Sequence, residues 1–141
     1  MSAPITSAIR ALGRVLLSGM FVVGGLDAAR HPDAKVAQAK TITDPLARTL
    51  PLFPHDTATM VRLNGAFQVA AATWFALGPR PRLPALGLAA SLVPTTLAGH
   101  RFWDATGDER FGELVAFLAN TAVLGGLLVV TATPATKESA S

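Results

Sequence analysis

Four long stretches of the chain contain no charged residue, and this spacing of the charges restricts the fold more than any other feature. The uncharged stretches are residues 15–26, 63–79, 83–99 and 114–136. A bilayer-spanning helix needs about 20 mostly apolar residues. The last stretch meets this alone, and the others need flanking Arg or His side chains that extend to the membrane interface. Because charged residues make up only 15% of the chain, against about 25% in soluble domains, the sequence predicts an all-α, integral membrane four-helix bundle.

The predicted organisation is a single four-span transmembrane domain over residues 1–133, followed by a disordered polar tail at 134–141. The four spans are placed at about 8–27, 58–77, 83–100 and 112–132. An alternative stays open for residues 4–29, because Arg10 and Arg14 before an apolar core also suit a signal peptide.

The connections between the spans differ in length and in charge. The long connection, residues 28–57, is expected to hold a short interfacial helix at 33–42, beyond which prolines break up the chain. These prolines are Pro45, Pro51 and Pro54. The short connection, GPRPR at 78–82, packs two Arg into five residues. Cations close to span ends weigh most in setting orientation, so both termini are expected in the cytoplasm, although the two sides carry nearly equal numbers of cations.

Polar side chains in or near the spans are the candidate site residues. Placing each of them in lipid costs free energy, so its presence there indicates a structural or functional role. The candidate ligand-binding set is Arg62, Asn64, Gln68, His100, Trp103, Asn120 and Glu113. Arg62, His100 and Glu113 fall near the same predicted side of the membrane, where an Arg–carboxylate pair or a His hydrogen bond can form. Structural roles also stay open. The side chains of Arg62 and Glu113 can extend to the membrane interface, and the amide side chains of the set can form hydrogen bonds between helices. Trp103 also suits an interfacial anchor.

Several functional classes lack their sequence signals. The chain has no Cys, which excludes disulfides and zinc–thiolate sites. It has no glycine-rich phosphate loop, nucleophile elbow or paired-histidine metal motif. The cations form no basic run, which argues against nucleic-acid binding. We therefore assign no catalytic and no metal-binding residue, and do not expect an enzyme acting on its own.

Four segments together resemble the DoxX family of small four-helix bacterial membrane proteins. They are LGRVLLSGMFVVGG, MVRLNGAFQVAAATWFALGPRPRLPAL, LVPTTLAGHRFW and FLANTAVLGGLL, and the resemblance spans about residues 10–132. The positions that match the family pattern include Arg14, Gly25, Arg62, Gly65, Pro94, His100, Gly125 and Gly126. The resemblance implies a four-helix bundle in the bacterial plasma membrane and a link to redox chemistry, either quinone-coupled sulfur oxidation or oxidative stress. It implies no catalytic residue, and the absence of Cys argues against direct thiol chemistry.

Three functions stay open at this point. The first is a membrane anchor or scaffold subunit that recruits a soluble redox protein or other membrane subunits. The second is a quinone- or lipid-binding module, with quinone as the cofactor. The third is a small transporter, which the placement of polar residues at one end of the spans disfavours. The lipid bilayer is a partner in all three, and small residues such as Gly19, Gly24 and Gly125 also allow self-association.

Overall fold

The computed structural model describes residues 3–50 and 56–133, and this part of the chain is built from helices and short connections. The α-helices are α1 (Ala3–Arg30), α2 (Val36–Thr49), α3 (Thr57–Leu77), α4 (Arg82–Gly99) and α5 (Gly107–Ala132), with a 3-10 helix at Pro32–Lys35. The all-α prediction is confirmed. The four predicted spans fall on α1, α3, α4 and α5, while the predicted tail at 134–141 lies outside the described residues.

The helices α1, α3, α4 and α5 pack in chain order, each antiparallel to the next. Helix α2 lies across α3 and α4 at one end of this bundle, which we call the covered end. The covered end holds Ala28, Thr57, His100 and Glu113, and the opposite end, the turn end, holds Arg14, Gly78 and Arg82. A minor contact between α1 and α5 joins the first and last helices.

Two of the described helices are long and apolar enough to cross a membrane by themselves. They are Pro4–Arg30 and Gly107–Ala132, with mean hydropathies of 1.5 and 2.1. Only 6% of the most apolar window of α5 is buried within the chain. A core helix of a water-soluble protein buries its apolar face, so α5 presents its apolar residues to surroundings outside this chain.

The hydrophobic core fills the half of the bundle nearer the turn end. Small side chains such as Ala72 and Ala85 let α3 and α4 approach, and Phe75, Leu88 and Leu127 fill the space between them and α5. Phe21 brings α1 into the same cluster. Helix α1 therefore supplies part of the core of the bundle.

The closest approach between two helices is the crossing of α1 and α3. A Cβ atom added to Gly65 would lie 2.5 Å from the carbonyl oxygen of Gly25 and 2.8 Å from the backbone nitrogen of Ala29. A Cβ added to Gly25 would lie 2.7 Å from the carbonyl oxygen of Gly65. Such backbone contact is possible only when both positions are glycine, which is how membrane helices commonly pack.

Arg14 satisfies the carbonyl groups at the end of α3. Its Nε donates to the carbonyl oxygen of Phe75 at 2.6 Å, and its Nη2 donates to that of Gly78 at 2.5 Å. The last carbonyls of a helix have no partner within the helix, and a cation beside them also interacts favourably with the helix dipole. Arg14 therefore holds the N-terminal part of α1 against the end of α3.

At the other end of α3, Asp56 caps the first turn. Its carboxylate accepts hydrogen bonds from the side chain and the backbone N–H of Thr59. These bonds favour the ionised form, so they lower the pKa of Asp56 below its usual value. The stabilisation is present above the pKa of the unfolded chain and is lost as the pH falls through the lowered pKa.

The long connection contains more helix than the sequence predicts. Helix α2 continues through Pro45 to Thr49, so the expectation that Pro45 breaks the chain is wrong. A proline inside a helix removes one backbone hydrogen bond, and its ring crowds the carbonyl group four residues earlier. Packing of the α2 face that contains Ile42 and Leu46 against the bundle offsets this cost.

The crossing of α1 and α3 generates a stability prediction. Gly65→Ala and Gly25→Ala each force a Cβ into opposing backbone, so we expect each to lower the free energy of unfolding in detergent micelles by about 1–3 kcal/mol. Gly24→Ala is the matched control, because a Cβ there meets no atom within 4 Å. It should leave the unfolding midpoint unchanged or raise it, since Ala favours helix over Gly. Equal effects at Gly24 and Gly25 would contradict the close crossing.

Candidate functional site

A cavity of about 750 Å³ opens at the covered end of the bundle, and all five α-helices contribute to its wall. Phe21 and Leu92 belong both to the core and to the cavity wall, so they form its floor. On the opposite side, α2 contributes Ala39, Ile42 and Leu46. This volume falls within the usual range for small-molecule sites, about 300–1,000 Å³.

Helix α2 covers the cavity because of its residue spacing. Ala39, Ile42, Thr43 and Leu46 stand three and four residues apart and therefore share one face of the helix. The Thr43 hydroxyl lies 3.1 Å from the Thr57 hydroxyl at the start of α3. Apolar packing and this polar contact hold α2 over the ends of α3 and α4.

A chain of three polar side chains crosses the wall from α3 to α4. The Nε2 of Gln68 donates to the Ser91 hydroxyl at 2.9 Å, and that hydroxyl donates to Oδ1 of Asn64 at 2.8 Å. Asn64 and Gln68 lie one turn apart on the same face of α3, and both line the cavity. We call these three residues the amide chain.

The second polar feature is a His–Glu pair that joins the end of α4 to α5. The Nδ1 of His100 lies 2.9 Å from Oε2 of Glu113, and both side chains are half-buried at the cavity wall. Two turns further along α5, Nδ2 of Asn120 donates to the Thr96 hydroxyl at 3.1 Å. These two contacts fix α5 against α4 on the side of the cavity.

The structure brings five of the seven predicted ligand-binding residues to the cavity. They are Asn64, Gln68, His100, Asn120 and Glu113. Arg62 is exposed, does not line the cavity, and forms no hydrogen bond or ion pair with the residues that the structure describes. Trp103 lies outside the cavity, in an aromatic cluster with ring centroids 5.1 Å from Phe102 and 6.2 Å from Phe117.

The positions of the family pattern divide between packing and the cavity. Arg14, Gly25 and Gly65 hold α1 to α3. Pro94 and His100 line the cavity. In α5, a Cβ added to Gly126 would contact Leu17 at 3.3 Å, whereas one added to Gly125 would meet no atom within 4 Å.

Sequence reasoning missed two parts of the site. Ser91 is not among the predicted site residues, but its hydroxyl links the amides of Asn64 and Gln68. The covering role of α2 was also missed, although the spacing of Ala39, Ile42, Thr43 and Leu46 in the sequence carries that signal.

The cavity wall holds little net charge. Its ionisable residues are Lys35, His100 and Glu113. The Nζ of Lys35 lies 2.6 Å from Oδ2 of Asp27, so this cation already has a carboxylate partner. No cluster of three metal-ligating side chains occurs in residues 3–50 and 56–133. The arrangement therefore suits a mostly apolar molecule with a small, hydrogen-bonding head group.

Comparison with known protein families identifies the chain as similar to one described family. The family model DoxX matches residues 9–101, which run from α1 to the connection after α4. Comparison with curated proteins finds no match, and comparison with solved structures finds none either.

The amide chain generates a prediction about packing. Ser91→Ala removes the hydroxyl that both amides use, so we expect the free energy of unfolding in micelles to fall by about 1 kcal/mol. Thr73→Ala is the control, because the exposed Thr73 hydroxyl bonds only to Val69 of its own helix. A loss of equal size in both variants would show that the amide chain does not join α3 to α4.

Proposed function

This chain belongs to the DoxX family, and from that premise we propose that it is a four-span membrane module that binds an amphipathic, lipid-soluble ligand of the quinone class. The cavity at the covered end carries this proposal. It combines an apolar wall with a few convergent polar groups, which is the usual composition of a small-molecule site.

The outward faces of α3 and α4 support four spans rather than two. Leu63 and Leu77 of α3 are exposed, as are Leu83 and Leu97 of α4, so both helices present large apolar side chains near both of their ends. The 21 residues of α3 correspond to about 32 Å and the 18 residues of α4 to about 27 Å, at about 1.5 Å per residue. The hydrocarbon core of a bilayer is about 30 Å thick.

The turn end is proposed to face the cytoplasm. Arg14 lies there against the end of α3, and Arg80 and Arg82 flank the turn between α3 and α4. Cations at short turns and span ends favour the cytoplasmic side. In a bacterial plasma membrane, this orientation puts α2 and the cavity at the outer surface.

Access to the cavity suits a ligand that arrives from the lipid. Met20 and Leu63 line the cavity and are also exposed, so its opening is bordered by apolar side chains. Inside, His100 and Asn64 offer nitrogen atoms that can donate to a carbonyl oxygen. Molecules of the quinone class combine a ring with hydrogen-bonding oxygens and an apolar tail, which suits this head-group and wall chemistry.

Binding of a short-chain quinone in lipid nanodiscs tests the proposal. We expect saturable binding of decylubiquinone that weakens about 2- to 10-fold in His100→Ala, the size of one lost hydrogen bond. Ala39→Trp, which fills the cavity from α2, should abolish binding. Arg62→Ala is the control and should bind as the unchanged protein does, because Arg62 lies outside the cavity. Binding that survives Ala39→Trp would contradict this site.

A role as a membrane anchor subunit rests on a different feature, the outward face of α5. Phe111, Val115, Leu118 and Val129 are all at least half exposed, and they stand at spacings that share one side of the helix. An apolar face of this length suits packing against another transmembrane subunit as well as lipid. We propose that a redox or oxidative-stress assembly uses this face, with a soluble redox protein or further membrane subunits as partners.

Purification from native membranes in mild detergent tests the anchor role. We expect a partner at fixed stoichiometry that carries a redox centre, and we expect Leu118→Trp to release it by changing the shape of the α5 face. Leu16→Trp is the control, since Leu16 is exposed on α1. Recovery of the chain alone, or only with further copies of itself, would contradict the anchor role while leaving ligand binding intact.

A further inference from the structure

The hydrogen-bonding atoms that remain free at the cavity restrict what its ligand can be. The side chains of Asn64, Gln68, His100 and Glu113 all have partners, but each uses only part of its capacity. In the described part of the chain, every enclosed polar atom of a buried or half-buried side chain has a hydrogen-bond partner. The unused polar atoms of these four residues are therefore accessible.

The amide chain always leaves one donor and one acceptor free. A hydroxyl donates once, so if Ser91 donates to the Asn64 carbonyl, it accepts from the Gln68 amide. The Asn64 NH₂ and the Gln68 carbonyl then remain free. Reversing both amides only exchanges these roles. In either arrangement, one free carbonyl oxygen and one free NH₂ group remain.

When His100 and Glu113 share one proton between Nδ1 and Oε2, the pair leaves a free acceptor on Glu113. Its Oε2 is bonded to Nδ1 of His100, and Oε1 has no partner among the described residues. If the carboxylate is ionised, Oε1 accepts only. If the shared proton lies on Oε2, Oε1 is a carbonyl oxygen and again accepts only.

The charges around the cavity disfavour an anionic head group. An anionic head group would lie near Glu113, and no free cation would balance its charge. Lys35 is paired with Asp27, and Arg62 does not line the wall. His100 is the one remaining basic side chain of the wall, and it is already bonded to Glu113.

We propose that the cavity selects an uncharged amphipathic molecule whose head group carries a hydroxyl that donates to Oε1 of Glu113. This inference rests on the proposed ligand-binding function and names the chemical form that the site accepts. A hydroquinone has such hydroxyls, whereas the corresponding quinone has only acceptors and would leave Glu113 facing another oxygen. A neutral lipid alcohol, such as a monoacylglycerol, shares the same chemistry.

The test compares three matched ring probes in nanodiscs under anaerobic conditions: tetramethylhydroquinone, its dimethyl ether and tetramethylquinone. We expect the hydroquinone to bind about 10-fold more tightly than the other two, because the hydrogen bond to Oε1 of Glu113 is lost in both. Glu113→Gln introduces a donor beside His100 and should reduce this preference several-fold or reverse it. Glu109→Gln, an exposed carboxylate of α5 outside the cavity, should retain it.

Displacement of the bound hydroquinone then distinguishes the two sources of the hydroxyl. Displacement by monoolein would assign the site to a lipid alcohol, and resistance to it would assign the site to a hydroquinone; both support the proposal. More effective displacement by phosphatidylglycerol than by monoolein would overturn it. Equal binding of the three ring probes would also overturn it while leaving ligand binding intact, whereas binding of no probe would contradict the proposed function as well.

Discussion

The contact between Gly25 and Gly65 sets the geometry on which the rest of the structure depends. It brings the backbones of α1 and α3 together near the covered end, and the bonds from Arg14 to Phe75 and Gly78 fix the same two helices at the turn end. Helices α1 and α3 thus form one closely packed pair. Helices α4 and α5 form a second pair, joined through the polar contacts of His100 and Asn120. The core closes the gap between the pairs at the turn end, and α2 covers the gap that remains open.

Polar groups have two different uses in this bundle. At the turn end, the Ser18 hydroxyl lies within hydrogen-bond distance of the carbonyl oxygens of Arg14 and Ala72. Arg14 donates to a carbonyl oxygen at the end of α3, so these polar groups support the fold. At the covered end, Gln68 and Glu113 also join helices, but each keeps a hydrogen-bonding atom free beside an open volume. In a low-dielectric surrounding an unpaired polar atom costs free energy. This cost is offset when a ligand supplies the missing partner.

Much of this arrangement could be predicted from the spacing of charged residues, and the remainder depends on helix rotation. The uncharged stretches located α1, α3, α4 and α5, and the placement of His100 and Glu113 at facing helix ends anticipated their contact. Arg62 lies two residues before Asn64, which is about 200° around a helix, so the two cannot share the cavity face. The contact of Gly65 with α1 fixes the rotation of α3 about its axis. This rotation turns Asn64, and not Arg62, toward the cavity. The path of α2 through Pro45 depends likewise on tertiary packing, which no local pattern reveals.

The proposed ligand preference depends on a part of the cavity wall that lies beyond the family match. The family match covers residues 9–101, and this region supplies Asn64, Gln68 and His100 to the wall. Glu113 and Asn120 come from α5, beyond the matched region. The matched helices therefore supply the amide chain, while α5 adds Glu113, the acceptor on which the proposed preference for a hydroxyl head group depends. A change on the inner face of α5 can alter this preference without disturbing the crossing of α1 and α3, because the two regions share few contacts.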